Sequence, residues 1–454
     1  MVFGSIIKIL NLKKFKTCKE SSMMAQEQKL SLLAAILINI NIMLGTGIFI
    51  NTVELSQRTG LLSGFMYPLI GFLILPLLLT ITKLIELYPS GSFYAYAQHE
   101  LSPFMGFLST WSYFIAKLAS ASLMVHVSVA LITQIFPALL TVFSVLSWDL
   151  VVISVFIGLN LLNMQTGSRI QYGFLVFKLI PLLFAIGACI LLLSPSAITS
   201  LPVIWSGIPG SLPLVLYAVM GFEATCALSS KIENSARNGP RAIIISFIVI
   251  ITLVFLFQFL LYATLGQTLA NQTSYLHTFP ALLQKFFGTN AFLNQKLQAL
   301  FHLAIASSAL GGCYGILYSN NWNFFILAQH KAVKGWRTFI KLNSQAIPYF
   351  CLLMEWLICM AYLLTATGNQ VILQQFAALG TTITYTTSVI ALLRKYKNDN
   401  VSFIYQLIPL TGLCSCVLLI ATSLRNFYMG GILSLVGFCL LLLIGILLYN
   451  KNTK

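Results

Sequence analysis

Apolar residues are grouped into twelve runs of about 20 residues, and short polar segments separate the runs. Runs of this length match the thickness of a bilayer's hydrocarbon core, and no ten-residue alternation of apolar and polar positions indicates a β-barrel. The pattern predicts an all-α polytopic membrane protein with twelve transmembrane helices. We place the spans at about residues 30–50, 62–87, 104–129, 149–164, 170–193, 211–232, 242–265, 297–327, 347–365, 371–393, 403–424 and 430–448.

Two of these spans are interrupted. The first contains Gly45, Thr46 and Gly47 within NINIMLGTGIF, and the sixth contains Gly221 within YAVMGFEAT. Glycine leaves helical dihedrals at little steric cost. Backbone groups freed inside a bilayer need partners, so unwound segments persist only where they are buried in protein or line a wet cavity. The pairing predicts two broken helices facing one site, an arrangement typical of transporters.

The interruptions also suggest a repeat, because spans one to five and six to ten each begin with a broken helix. An odd number of spans per half inverts the second half relative to the first. We therefore expect a basic cytoplasmic tail at 1–29, a first repeat at 30–193, an outer loop at 194–210, a second repeat at 211–393, and two further helices with a short tail at 394–454.

Composition agrees with a membrane location. The 454 residues are 58% hydrophobic and 8% charged, whereas soluble domains carry about 25% charged residues. The formal net charge of +16 could indicate a nucleic-acid partner, but its placement argues against one. Basic residues cluster before the first span and after the sixth, eighth, tenth and twelfth, while the opposite loops carry only Arg58, Lys285, Lys296 and Arg425. The positive-inside rule then puts both termini in the cytoplasm. We expect the chain to lie in the plasma (inner) membrane.

Other features exclude several classes of protein. The first 29 residues lack a signal peptide's small-residue cleavage site, so we interpret them as a cytoplasmic tail. The nine cysteines lack metal-ligand spacing, and the five histidines are scattered. No nucleophile–histidine constellation or paired acid appears within the spans. We expect no enzyme activity, no metal and no cofactor.

Four segments resemble the amino acid–polyamine–organocation permeases, which share a LeuT-like five-plus-five inverted-repeat fold. They resemble that family's broken first helix, the entry to its third helix, its fifth helix with a lysine, and its sixth helix with the following loop. The segments are GTGIF at 45–49, PSGSFYAYAQHELSPFMGF at 89–107, GSRIQYGFLVFKLIP at 167–181 and GFEATCALSSKIENSARNGPRAI at 221–243. Three positions depart from the family pattern: Ser230 and Lys231 replace a pair of glutamates, and Ser235 replaces a proline.

The resemblance implies a substrate site between the two breaks. Amides at the end of a half-helix would hold a substrate carboxylate, and carbonyls of the sixth helix would accept from its ammonium group. Helix packing is the alternative for the glycines, as it is for each aromatic ring. The implied substrate-binding residues are Met43, Gly45, Thr46, Gly47, Ile48, Phe107, Tyr217, Met220, Gly221, Phe222, Glu223 and Tyr314.

Two ionisable residues are candidates for proton coupling. Glu223 is an acid at mid-membrane, where a carboxyl group is a functional candidate by default, although a neutral acid bonded between helices is the alternative. Lys178 lies about 13 Å along the helix from Arg169, too deep to snorkel. In the resembling family, such a lysine stands in for the sodium ion of related carriers, whereas a structural ion pair is the alternative here.

Three further buried ionisable residues, Lys117, His126 and Glu355, match no family motif.

The interpretation is a secondary transporter that carries amino acids or related amines across the bilayer, with protons as coupling ion. Symport and exchange both remain open. So does a permease-fold sensor without transport, because the glutamate pair is missing. The sequence assigns no oligomeric state.

Overall fold

The computed structural model describes residues 29–89, 92–162, 164–288, 291–366, 370–430 and 432–451. Apart from Lys29, the predicted N-terminal tail lies outside the described residues, as does Lys454. Helices dominate, and within the described ranges no residue belongs to a strand. Three isolated β-bridges occur among these residues. The expected all-α class is therefore confirmed for this part of the chain.

Within the described ranges, sixteen α-helices longer than four residues form the body of the protein. They are α1 (Leu32–Met43), α2 (Gly47–Thr59), α3 (Met66–Leu87), α4 (Phe93–Glu100), α5 (Pro103–Ile135), α6 (Val145–Leu159), α7 (Met164–Leu192), α8 (Ile208–Val219), α9 (Ala224–Leu228), α10 (Ser235–Leu265), α11 (Thr278–Phe287), α12 (Ala291–Gln329), α13 (Tyr349–Ala366), α14 (Gln370–Asn398), α15 (Phe403–Gly430) and α16 (Ile432–Leu448). Short helical turns occupy several of the connections.

The chain is an integral membrane protein by the length and apolarity of these helices. Among the described residues, nine helical segments can cross a bilayer, and α1 with α2 forms a tenth that bends by 44° at its break. The segment 205–231, which contains α8 and α9, counts as one of the nine. Predicted spans four and twelve correspond to the shorter α6 and α16, of 15 and 17 residues. The total of twelve and the inverted repeat remain predictions.

Span four begins earlier than its hydrophobic pattern suggested. We expected residues 149–164, but α6 runs from Val145 to Leu159. Ser144 caps its first turn by accepting a hydrogen bond from the Ser147 amide at 3.2 Å. Asp149, which seemed to mark a polar boundary, is buried and bonded to His126 on α5 at 2.8 Å. An acid with a partner on a neighbouring helix can lie inside a span, so this charge misplaced the boundary.

Helix α5 is the centre of the bundle. It packs against α12 and α14 along much of its length, and also against α4, α6 and α13. Its buried positions include many alanines and serines, which let neighbouring backbones approach closely. By contrast, α13, α15 and α16 expose large apolar side chains such as Leu357, Val417 and Leu447. Such surfaces are suited to lipid.

Candidate functional site

The first break separates α1 from α2 at Leu44, Gly45 and Thr46. The Leu44 amide makes the last bond of α1, to the Ile40 carbonyl at 2.9 Å. Leu44 then leaves helical dihedrals, at φ −74° and ψ 59°. The Thr46 carbonyl starts α2 by accepting from the Phe49 and Ile50 amides at 2.9 and 3.0 Å. Carbonyl oxygens at the end of α1 are thereby left without helical partners.

Lys178 supplies those partners. Its ammonium donates to the Asn41 carbonyl at 2.6 Å and to the Leu44 carbonyl at 2.8 Å. The Ser308 hydroxyl of α12 donates to the same Leu44 oxygen at 3.1 Å. Lys178 is only 1% exposed and makes no ion pair with any described carboxylate. Its charge is balanced by backbone dipoles, which ties α7 to the first break.

The second break separates α8 from α9. Met220 turns extended, and Gly221 adopts φ +129°, a conformation that L side chains rarely reach. The Glu223 carboxylate folds back and accepts from the Gly221 amide at 2.9 Å. It also accepts from the Tyr113 hydroxyl at 3.2 Å and lies 2.6 Å from the Lys117 ammonium. Glu223 is fully buried, so α5 provides the counter-charge that lets this acid lie inside the bundle.

The two breaks contact each other directly. A Cβ added at Gly47 would lie 2.6 Å from the Ala218 Cα, and one at Gly221 would lie 3.1 Å from the Met43 amide nitrogen. The Thr46 and Tyr217 hydroxyls are hydrogen-bonded at 3.1 Å. Glycine at these positions permits a backbone approach that any larger residue would prevent.

A small cavity lies between the breaks and α5. Its volume is about 10 Å³, which is room for roughly one water molecule. Five of the predicted substrate residues line it. The lining consists of Ile42, Met43, Gly45, Gly47, Lys117, Ser120, Met124, Tyr217, Ala218, Met220 and Ile316.

Backbone hydrogen bonds join the segments that flank the two breaks. At the predicted cytoplasmic end, the Leu30 amide donates to the Lys231 carbonyl at 2.7 Å and the Glu233 amide donates to the Leu30 carbonyl at 3.0 Å. At the other end, the Leu61 amide donates to the Pro202 carbonyl at 2.9 Å. Lys231, one of the departures from the family pattern, thus makes the first of these contacts through its backbone.

Phe107 and Tyr314 do not belong to the described lining of the cavity, and their assignment as substrate-binding residues stays a prediction. Phe107 stacks on Trp111 and packs on Tyr449, with ring centroids 6.2 and 5.1 Å apart. It precedes Lys117 by ten residues on the same helix, about 15 Å along the axis. Tyr314 packs against Phe156 of α6, with centroids 6.0 Å apart, while Ile316 on another face of α12 lines the cavity. Aromatic identity alone did not indicate which face points inward.

Two other predicted residues lie beside the cavity lining. Phe222 is buried in the second break, where its ring centroid is 5.9 Å from that of Tyr385. Ile48 is buried in the first turn of α2. Neither belongs to the described lining.

Lys117 has a role in the site that the sequence did not assign. The sequence shows Lys117 as a basic residue inside an apolar span. No sequence spacing links it to Glu223, because the two residues are 106 positions apart and meet only in the fold.

His126 pairs with Asp149 at 2.8 Å. Glu355 is fully buried on α13. Neither residue lines the cavity.

Two histidines lie near the membrane edge at α4: His99 on α4 itself and His330 just after α12. The His330 ring packs on Tyr94, with centroids 4.6 Å apart, and the His99 ring stacks on Tyr88 at 5.3 Å. Partial burial of the His330 ring, followed by the influence of His99, lowers the pKa of His330 below 6.5. Tyr88 donates to Glu100, and burial together with this bond raises the pKa of Tyr88. In the described chain, no group of three or more metal-ligating side chains occurs.

Comparison with known proteins identifies the family. A sequence model described as amino acid permease matches residues 30–449. The low-affinity putrescine importer of Escherichia coli (strain K12) is 26% identical over 204 residues, covering 41% of this chain and 44% of the importer. The arginine/ornithine antiporter of Latilactobacillus sakei is 24% identical over 265 residues, covering 53% and 54%. The chain thus spans about half the length of these relatives. The family match extends over nearly the whole chain, which therefore belongs to the amino acid permease family.

Proposed function

We propose that the protein is a secondary active transporter of amino acids or related amines that works by alternating access around its two broken helices. The observation that carries this proposal is the contact of both breaks around one closed cavity, in a chain of the permease family. The relatives named above import putrescine or exchange arginine and ornithine, which supports a small amine-bearing substrate.

The proposed substrate site consists of the cavity lining and the exposed backbone of both breaks. Amides that begin α2 at Gly47 carry the positive end of a helix dipole and suit a substrate carboxylate. Carbonyls at the end of α8 suit its ammonium group. Because the cavity has room for about one water, substrate entry requires the breaks to separate.

Lys178 is proposed to replace a coupling metal ion. Its charge occupies the carbonyl oxygens of Asn41 and Leu44, a position where a cation holds α7 against the first break. Loss of its proton would remove that attraction and release α1, so opening would alternate with proton binding. Protons are the proposed coupling ion, in symport or in exchange, and Glu223 is the second candidate.

Uptake into proteoliposomes tests the proposal. Flux of radiolabelled amino acids or putrescine should follow an imposed pH gradient and be unaffected when choline replaces sodium. A requirement for sodium would contradict the role of Lys178. Ligand binding without flux would instead favour a sensor with the permease fold.

The topology is part of the same proposal: twelve spans, two inverted five-helix repeats, both termini in the cytoplasm, and location in the plasma (inner) membrane. Reporter fusions test the orientation. A reporter inserted near Gln272 should lie outside, whereas one placed between Ala332 and Lys341 should lie in the cytoplasm. The opposite result at Gln272 would mean that the number of spans is wrong.

A further inference from the structure

The cavity contains one charged side chain among its described lining residues, the ammonium group of Lys117. The ammonium lies 2.6 Å from Glu223 and 5.3 Å from the centre of the Tyr113 ring. The side chains of Lys117 and Glu223 are 5% and 0% exposed. The pair is therefore fixed in the wall of the cavity, with lysine as the member that reaches the space.

Glu223 has little remaining capacity to bind a substrate cation. Its oxygens already accept from Gly221 and Tyr113 and neutralise Lys117. The other buried acids of the described chain, Asp149 and Glu355, do not belong to the described lining. A second positive charge on a substrate would lie beside the Lys117 ammonium, and the described lining includes no carboxylate to pair with it.

The rest of the lining is mainly apolar. Ile42, Met43, Met124, Ala218, Met220 and Ile316 form most of the wall, and Ser120 and Tyr217 add hydroxyl groups. Methionine side chains are flexible and adapt to apolar groups of different shape. Such walls suit an uncharged apolar side chain.

We propose that Lys117 determines substrate specificity by excluding diamines and dibasic amino acids, so that the site takes zwitterionic amino acids with uncharged, apolar side chains. This inference rests on the proposed transport function and narrows its substrate class. It sets this chain apart from the putrescine and arginine/ornithine carriers that it resembles. The physical reason is that like charges brought together out of water repel strongly.

The test is a comparison of ligand affinities for the purified full-length protein. Leucine, putrescine, arginine and glutamate are titrated by isothermal calorimetry, and competition against labelled leucine is measured in proteoliposomes. Wild type should bind leucine about tenfold or more tightly than putrescine or arginine, as expected for a like-charge penalty. It should also bind leucine more tightly than glutamate, because Glu223 already pairs with Lys117 at 2.6 Å and would repel a second carboxylate.

Three variants separate specificity from structural effects. Lys117→Gln leaves Glu223 without its counter-charge, so the affinity for putrescine should rise about tenfold relative to that for leucine. Lys117→Gln combined with Glu223→Gln removes both charges, so the relative affinity for putrescine should not rise in this double variant. Lys117→Arg keeps the positive charge and should retain the preference of wild type. The ratio of affinities is the readout, since a merely structural role would lower both affinities together.

Several outcomes overturn the inference. If wild type binds putrescine or glutamate as tightly as leucine, or if Lys117→Gln leaves the ratio unchanged, Lys117 does not determine specificity, although the transport proposal survives. If no amino acid or amine binds to wild type or is carried by it, the proposed function fails, and this inference fails with it.

Discussion

The two breaks balance buried charge in opposite ways. At the first, the ammonium group of Lys178 is stabilised by the carbonyl oxygens of Asn41 and Leu44, and no described carboxylate pairs with it. At the second, Glu223 is a formal anion that needs both an amide and the cation of Lys117. The end of a half-helix supplies only partial charge, and this suffices where two carbonyls converge on one ammonium. The second break instead contains an ion pair.

The difference has consequences for substitution. Removing Lys178 leaves uncharged carbonyls, which water can satisfy when the break opens. Removing Lys117 leaves an unpaired carboxylate, which is far more costly inside a membrane. The first break is therefore better suited to a group that gains and loses a proton, and the second to a group that stays charged.

The largest expected effect comes from forcing the breaks apart. Gly47→Leu should abolish uptake, because even a Cβ there would lie 2.6 Å from the Ala218 Cα, a backbone atom that cannot rotate away. Gly45→Ala should be milder, since its added Cβ meets the flexible end of Met124. Uptake into proteoliposomes measures the effect. Gly158→Leu is the control, because nothing lies within 4 Å of its Cβ position, and normal uptake by Gly47→Leu would contradict the close approach.

The next effect concerns the first break alone. Lys178→Met should remove the pH response of uptake and lower stability by roughly 1–3 kcal/mol, because the buried Asn41 carbonyl loses its donor, whereas the Leu44 carbonyl keeps the Ser308 hydroxyl. Lys285→Met is a matched control, since that lysine donates to the Thr264 carbonyl at 2.5 Å outside the breaks. Thermal unfolding in detergent and pH-jump uptake are the measurements. An unchanged pH response would make Lys178 a structural residue and Glu223 the better candidate for the coupling proton.

A further effect is expected at the second break. Tyr113→Phe removes one donor to Glu223 while leaving Lys117 in place, so stability should fall by about 1.5–3 kcal/mol, the range for hydrogen bonds to charged groups. Tyr362→Phe is the control, because its hydroxyl donates to the uncharged Ile115 carbonyl at 3.1 Å, a bond worth only about 1 kcal/mol. Thermal unfolding compares the two. Equal losses would indicate that Glu223 is not charged in the closed state.

The smallest expected effect is at His330. It tests whether the pH dependence of uptake arises at the breaks. The pKa of His330 is lowered below 6.5 in the folded protein, so the unfolded chain binds a proton first as pH falls. Stability should therefore decline slightly as pH drops below about 6.5. His330→Gln should flatten this slope in melting temperature while leaving the pH dependence of uptake intact, and His99→Gln is the comparison. Loss of the uptake response in His330→Gln would move the proton-sensitive step away from the breaks.

Part of the site could be predicted from sequence because its signals are local. Glycines at 45, 47 and 221 mark where a helix can break, and those positions do meet around the cavity. Phe107 and Tyr314 could not be placed in this way, since one lies about 15 Å from Lys117 along α5 and the other faces α6. In a chain with 13% aromatic residues, residue type does not specify which neighbour a ring meets.

By itself, the sequence determined the all-α class, the membrane location and the positions of both breaks, because apolar length and glycine act over a few residues. Only the tertiary structure decided which charges are balanced, by what, and which residues line the cavity. Lys117 and Glu223 are 106 positions apart, and only the fold shows that the carbonyls which Lys178 meets in the first break are those of Asn41 and Leu44. Electrostatic partners inside a membrane depend on distances of a few ångströms between different helices, and these distances exist only once the helices have packed.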